Sequence, residues 1–194
     1  METHKGVNAF YAQNRQDWRN WLDQNHDTEK AVWLIMYRKT SEKPGVYYDE
    51  AVEEALCFGW IDSVANKRDE ESFYLYFARR NPKSNWSQAN RERVDKLTQK
   101  GLIRPAGQAM IDLAKETGTW EALVDVQNAV IPDDLQQLFN QNPQAMANFQ
   151  AFSPSSKRGI LEWILNAKRP ETRQKRLAET VRMAEQNKRV NIDR

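Results

Sequence analysis

A single cysteine, two histidines and no long apolar run remove whole classes of chemistry from this 194-residue sequence. Cys57 has no partner for an internal disulfide, and its place in Ala55-Leu56-Cys57-Phe58 predicts a buried, inert thiol and a reducing compartment. Neither His4 nor His26 stands at a zinc-ligand spacing from Cys57, so no metal site is expected; His4 falls in a terminus that reads as mobile. Gly-x-Gly-x-x-Gly, a Walker loop and a nucleophile elbow are all missing, which excludes the common nucleotide-hydrolase and serine-hydrolase architectures and implies no cofactor. No stretch approaches the roughly 18 apolar residues that span a bilayer, and Met1 to Gln13 carries no apolar core of a signal peptide. The expectation is a cytoplasmic protein without membrane insertion.

What is there suits a folded, water-soluble chain. The apolar fraction is 40 % and the charged fraction 29 %, both ordinary for a globular surface and core. Seven tryptophans, seven phenylalanines and six tyrosines supply aromatic bulk that has to be buried for the most part. A net charge of +2 argues against a protein devoted to coating nucleic acid. Basic residues nevertheless collect after Pro154, with Lys168, Lys175 and Arg182 recurring every seven residues on one side of a final helix.

The pattern predicts an α+β fold: helix-rich, with a small three-stranded antiparallel sheet covered by helices in the N-terminal part and an all-helical C-terminal part. Asn14, followed by Asp17, Trp18, Trp21 and Leu22, opens a capped amphipathic helix ending near His26. Ala31 to Tyr37 reads as a buried strand. A helix then begins at Tyr48 or Asp49, buries Val52, Ala55 and Leu56, and stops at Gly59; its Glu53 and Glu54 read as surface carboxylates. Trp60 to Lys67 and Ser72 to Arg79 form a hairpin. Helices follow from about Ser87 and from Pro105. The stretch from Trp120 to Val130 is the linker candidate, giving an N-terminal domain over 1–120 and a helical subdomain over 121–194, in which Pro132, Pro143 and Pro154 each mark a helix start.

Three strings carry a resemblance: Glu54-Ala55-Leu56-Cys57-Phe58-Gly59-Trp60-Ile61-Asp62-Ser63; Phe77-Ala78-Arg79-Arg80 with Ser84-Asn85-Trp86-Ser87 and Asn90; and Ala167-Lys168-Arg169-Pro170-Glu171-Thr172-Arg173 with Arg176. Together they resemble the bacteriocin-protection, YdeI or OmpD-associated family. The resemblance implies a role in bacteriocin or stress tolerance and a link to an outer-membrane porin. The chain departs from the family pattern at Ala78, where a proline usually precedes the arginine.

The sharpest candidate site runs from Arg79 to Ser87. Two arginines precede serines at a helix start, and guanidinium forks, hydroxyls and free helix N–H groups together suit a phosphate or carboxylate. The expected ligand set is Trp60, Asp62, Arg79, Arg80, Ser84, Trp86 and Ser87, binding a small anionic ligand or a protein partner. The bland alternative has the serines capping their helix while the arginines pair with Asp69 to Glu71. A second class is an enzyme acting on a phosphorylated or carboxylated metabolite with Asp62 as general base, against a simple salt bridge for that aspartate. A third is docking of nucleic acid or protein on the basic final helix, against a solvated face in which Glu171, Glu179 and Glu185 pair with their neighbours.

Overall fold

In the computed structural model, which describes residues 2–192, the chain divides into two units, Met1–Glu121 and Ala122–Arg194. The first holds β1 (Thr3–His4), β2 (Val7–Tyr11), α1 (Arg15–Asn25), β3 (Ala31–Tyr37), α2 (Tyr48–Cys57), β4 (Trp60–Lys67), β5 (Ser72–Arg79), α3 (Gln88–Gln99) and α4 (Pro105–Glu116). Local chemistry sets the boundaries. Asn14 caps α1 by accepting from the Asp17 N–H at 2.9 Å, Ser87 caps α3, and Pro105 occupies the first turn of α4, where a missing N–H costs nothing.

The sheet corrects the expected three antiparallel strands. Its order is β1-β2-β3-β5-β4, five strands of mixed direction, with β2 parallel to β3 and the remaining pairs antiparallel. The two added strands come from the N-terminus, which the sequence reading left without structure. Lys5 and Gly6 both take positive φ, 49° and 77°, the backbone of a tight two-residue hairpin turn between His4 and Val7. The parallel pair is joined through α1, so no local hairpin signal announces it.

Alternation gives the sheet two faces. Val32, Leu34 and Met36 of β3 pair with Phe77, Leu75 and Phe73 of β5, and this face packs on Trp18, Leu22, Val52, Leu56, Val94 and Ile111 of the helices. Each such fully buried aliphatic side chain contributes about 1.5–3 kcal/mol. The other face carries Ala9, Trp33, Ile35 and Tyr74, a cluster drawn from strands alone. The hairpin covers it: the Lys5 ammonium reaches Asn66 on β4 at 3.0 Å, although β1 and β4 are opposite ends of the strand order.

Glu54 is also corrected. It is buried at 2 % exposure and binds the guanidiniums of Arg15 and Arg19, tying α1 to α2.

The second unit comprises α5 (Val124–Gln127), α6 (Asp133–Asn140), α7 (Pro143–Ala151), α8 (Pro154–Leu165) and α9 (Pro170–Glu185) around Leu135, Phe139, Phe149, Ile160, Ile164 and Leu177. Arg173 forks onto Asp134 at 2.7 and 3.0 Å, and Arg176 donates to the Trp163 carbonyl, so two basic residues of the final helix are structural ties. Lys168, Lys175 and Arg182 stay exposed. No helix of the described residues is long and apolar enough to cross a membrane.

Candidate anion site

Where β5 ends, two adjacent arginines part company. Arg79 pairs in register with Trp60 and reaches the turn between α1 and β3, donating from Nε to the Glu29 carbonyl at 2.9 Å and from Nη2 to the Asp27 carbonyl. Its fork is thereby committed to backbone oxygens. Trp60 backs the same turn, buried and donating its indole N–H to the His26 carbonyl at 3.3 Å. Ala78, where the family pattern changes, lies within the strand and pairs with Ala31 and Ile61.

Arg80 turns inward. Its backbone N–H donates to the Gly59 carbonyl at 2.9 Å, and the residue is only 5 % exposed. Nη2 donates to the Asn85 carbonyl at 2.6 Å, and the guanidinium carbon lies 3.8 Å from the centre of the Trp86 ring. Nε is buried with no hydrogen-bond partner. No carboxylate pairs with Arg80 among the described residues, and burial alone pushes its pKa down to about 10, so it remains a cation at neutral pH. An uncompensated buried charge costs several kcal/mol; a desolvated cation–π contact returns about 2.

Trp86 continues the arrangement. It is buried, its ring lies 4.9 Å from Trp120, and the Lys115 ammonium sits 5.3 Å over that second ring. Two neighbouring indoles are thus flanked by a cation at each end, Arg80 on Trp86 and Lys115 on Trp120. Trp120 and Lys115 were not singled out in the sequence, because α4 and the residues beyond it are distant from Trp86 along the chain.

The remaining predicted residues do not join this point. The Ser84 hydroxyl closes a turn on the Asn81 carbonyl at 2.7 Å, and Ser87 accepts from the Asn90 N–H at 3.3 Å as the cap of α3. Asp62 accepts from the Tyr48 hydroxyl at 2.9 Å; burial and that bond push the tyrosine up to about 12, and no ion pair links Asp62 to Arg79 among the described residues. The expected pairing of both arginines with Asp69 to Glu71 is not made either: Arg68 takes Asp69, and Lys43 takes Glu71. The cap reading therefore holds for Ser87, and the ion-pair reading fails for Arg79 and Arg80.

Two clefts lie elsewhere. One of about 650 Å³ at the end of α1 is lined by Asp23, His26, Asp27, Phe58, Arg104 and Ala106 among others, with His26 Nε2 3.2 Å from Asp27. In the second unit a cleft of about 990 Å³ gathers Ser153, Ser156, Met183, Lys188, Arg189 and Ile192. Among the described residues no three His, Cys, Asp or Glu side chains group as metal ligands. Burial pushes the Cys57 thiol up to about 11, which disfavours the thiolate.

Residues 10–110, just over half of the chain, match a family model described as Domain of unknown function (DUF8412). Residues 128–187 match one described as Bacteriocin-protection, YdeI or OmpD-Associated. The string at 167–176 falls in the second match, whereas those at 54–63 and 77–90, with every candidate residue from Trp60 to Ser87, fall in the first. No curated protein and no solved structure matches the chain.

Proposed function

We propose, for a chain that belongs to the family of Domain of unknown function (DUF8412) and carries the bacteriocin-protection, YdeI or OmpD-associated family over residues 128–187, that its N-terminal unit binds a small oxyanion at Arg80. The observation that carries this reading is the guanidinium at 5 % exposure with Nε unpartnered and no carboxylate among the described residues to balance it. Buried charges in folded proteins are paired or bound, and an unsatisfied buried donor calls for an occupant. A phosphate or carboxylate oxygen at Nε would supply both the bond and the charge. The loop that Arg80 grips leads into α3, whose positive end favours the same sign of ligand. The site is narrower than the seven residues expected: Arg80 and Trp86 form it, while Arg79, Asp62, Ser84 and Ser87 are engaged with other partners.

In this reading the protein is a cytoplasmic binder without a chemical step, and the bacteriocin or stress tolerance in the family description runs through occupancy of Arg80. The test is thermal unfolding against phosphate, sulfate and small mono- and dicarboxylates. At a concentration a hundredfold above Kd, a bound anion stabilises by about 2.7 kcal/mol. We expect at least one anion to raise Tm in the wild type and in Arg79→Ala but not in Arg80→Met. No response across the panel, or an equal response in Arg80→Met, contradicts the reading.

A further inference from the structure

The face of the sheet under the N-terminal hairpin is built like a binding site that the chain itself fills. His4 stacks on Tyr74 with ring centres 4.4 Å apart and planes 14° from parallel, and meets Trp33 edge to face at 4.8 Å. Tyr76 also meets Trp33, with ring centres 4.8 Å apart. Beside these rings the Glu2 carboxylate takes both arms of the Arg68 fork, at 2.8 and 3.0 Å, and accepts the Tyr74 hydroxyl as well. Glu2 is held below the usual carboxylate range by its bonds from Arg68 and Tyr74.

Two atoms do not fit a purely structural role. Trp33, only 3 % exposed, has a buried indole N–H with no partner, and the His4 Nε2 against the same ring system is likewise buried and unpartnered. A donor left in that state has lost its water and gained no acceptor, a loss that packing for stability alone would have removed by an apolar residue or a hydrogen bond. The covering element is slight: β1 is two residues long and is hydrogen-bonded on one side only, to β2.

We propose that this face binds a planar nitrogen heterocycle bearing an anionic group, a nucleoside monophosphate in class, and that Glu2 and His4 are its internal stand-ins. The imidazole holds the place of the heterocycle between Tyr74 and Trp33. The carboxylate holds the place of the phosphate on Arg68, whose planar fork suits either anion. A heterocycle with an acceptor at its edge would satisfy the Trp33 N–H, which His4 leaves empty. Binding therefore requires the hairpin to release Glu2 and His4, and the site is closed until a ligand outcompetes them. It shares no residue with the Arg80 site.

Adenosine monophosphate is the probe, with adenosine and ribose 5-phosphate as half-ligands. By calorimetry the variant Glu2→Ala/His4→Ala is expected to bind the monophosphate about tenfold or more tightly than the wild type, and more tightly than either half-ligand. Adding Arg68→Gln or Tyr74→Leu to that variant removes the gain. No binding by the double variant, shown folded by its circular dichroism, or binding equal to that of the wild type, overturns the proposal. Should the double variant fail to fold, the wild type decides: His4 and His26 are the only histidines, so their imidazole carbon-bound protons are readily assigned by NMR. With about 10 mM monophosphate the ring-shifted His4 signal is expected to move toward that of a free imidazole while His26 stays, and an unmoved His4 overturns it.

Discussion

A guanidinium taken out of water needs a counter-charge, and Arg80 has an indole instead. Methionine keeps the unbranched apolar stem and removes the charge but has three fewer heavy atoms, so the relieved desolvation and the gap left over Trp86 should offset and stability should change by less than about 1 kcal/mol. Chemical denaturation would show this, and a loss above about 3 kcal/mol would mean that the charge is already balanced. Glu54 presents the opposite case. Its carboxylate is buried against Arg15 and Arg19; Glu54→Ala leaves Arg15 with Glu53 but takes from Arg19 its one ion pair among the described residues, and should cost about 3 kcal/mol in urea denaturation. Sequence could not tell these positions apart from their neighbours. Arg79 and Arg80 are the same residue type side by side, and Glu53 and Glu54 likewise. Which of each pair turns inward depends on what the opposite element places there, Trp86 for one and α1 for the other.

Between elements, α4 comes close to the end of α2 at Gly107. A Cβ added at Gly107 would lie 2.3 Å from the Cys57 carbonyl oxygen, a backbone atom that can move only if the two helices part. Gly107→Ala should therefore destabilise by about 2 kcal/mol or more, read as a lower midpoint in denaturant; an unchanged midpoint would refute the packing. In the second unit α6 and α9 are tied by Asp134 and Arg173. The Arg173 bonds hold the Asp134 carboxyl below its ordinary range, so the stabilisation is present above that range and is lost as pH falls through the depressed value. The difference in Tm between wild type and Asp134→Asn should accordingly be largest near neutral pH and shrink to nothing in strong acid. A difference that persists in acid would assign the effect to packing and not to charge. Most element boundaries were legible because their causes are local. Asn14 with Asp17, Pro105, Pro143 and the alternating Phe73, Leu75 and Phe77 each act within a turn or two of chain. The hairpin of β1 and β2 escaped because β1 is two residues long, its turn is Lys5-Gly6 in place of the stronger Asn-Gly signal, and β2 finds its partner only across α1.

At the scale of the molecule, the first unit holds a buried cation–indole pair at Arg80 and Trp86 and an aromatic sheet face under a strap, and the second is a set of helices tied by arginines, one of which, Arg176, lies over Trp163. The seven residues expected to converge between Trp60 and Ser87 do not share one set of contacts. Residues that look convergent in a string, Arg79, Asp62 and Ser84, are satisfied separately by carbonyls, a tyrosine and a turn, whereas Trp120 and Lys115 arrive from a distant helix and its end. Arg80 has to be an anion receptor and not a staple. The direct measurement is the Nε–H proton resonance of Arg80 in the intact chain, followed through a titration with the anion that most raises Tm. A saturable downfield shift of that proton, at a midpoint equal to the Kd from calorimetry and absent from the Arg79 Nε–H, is the predicted result. An Arg80 Nε–H that stays fixed while exposed arginines shift would contradict it.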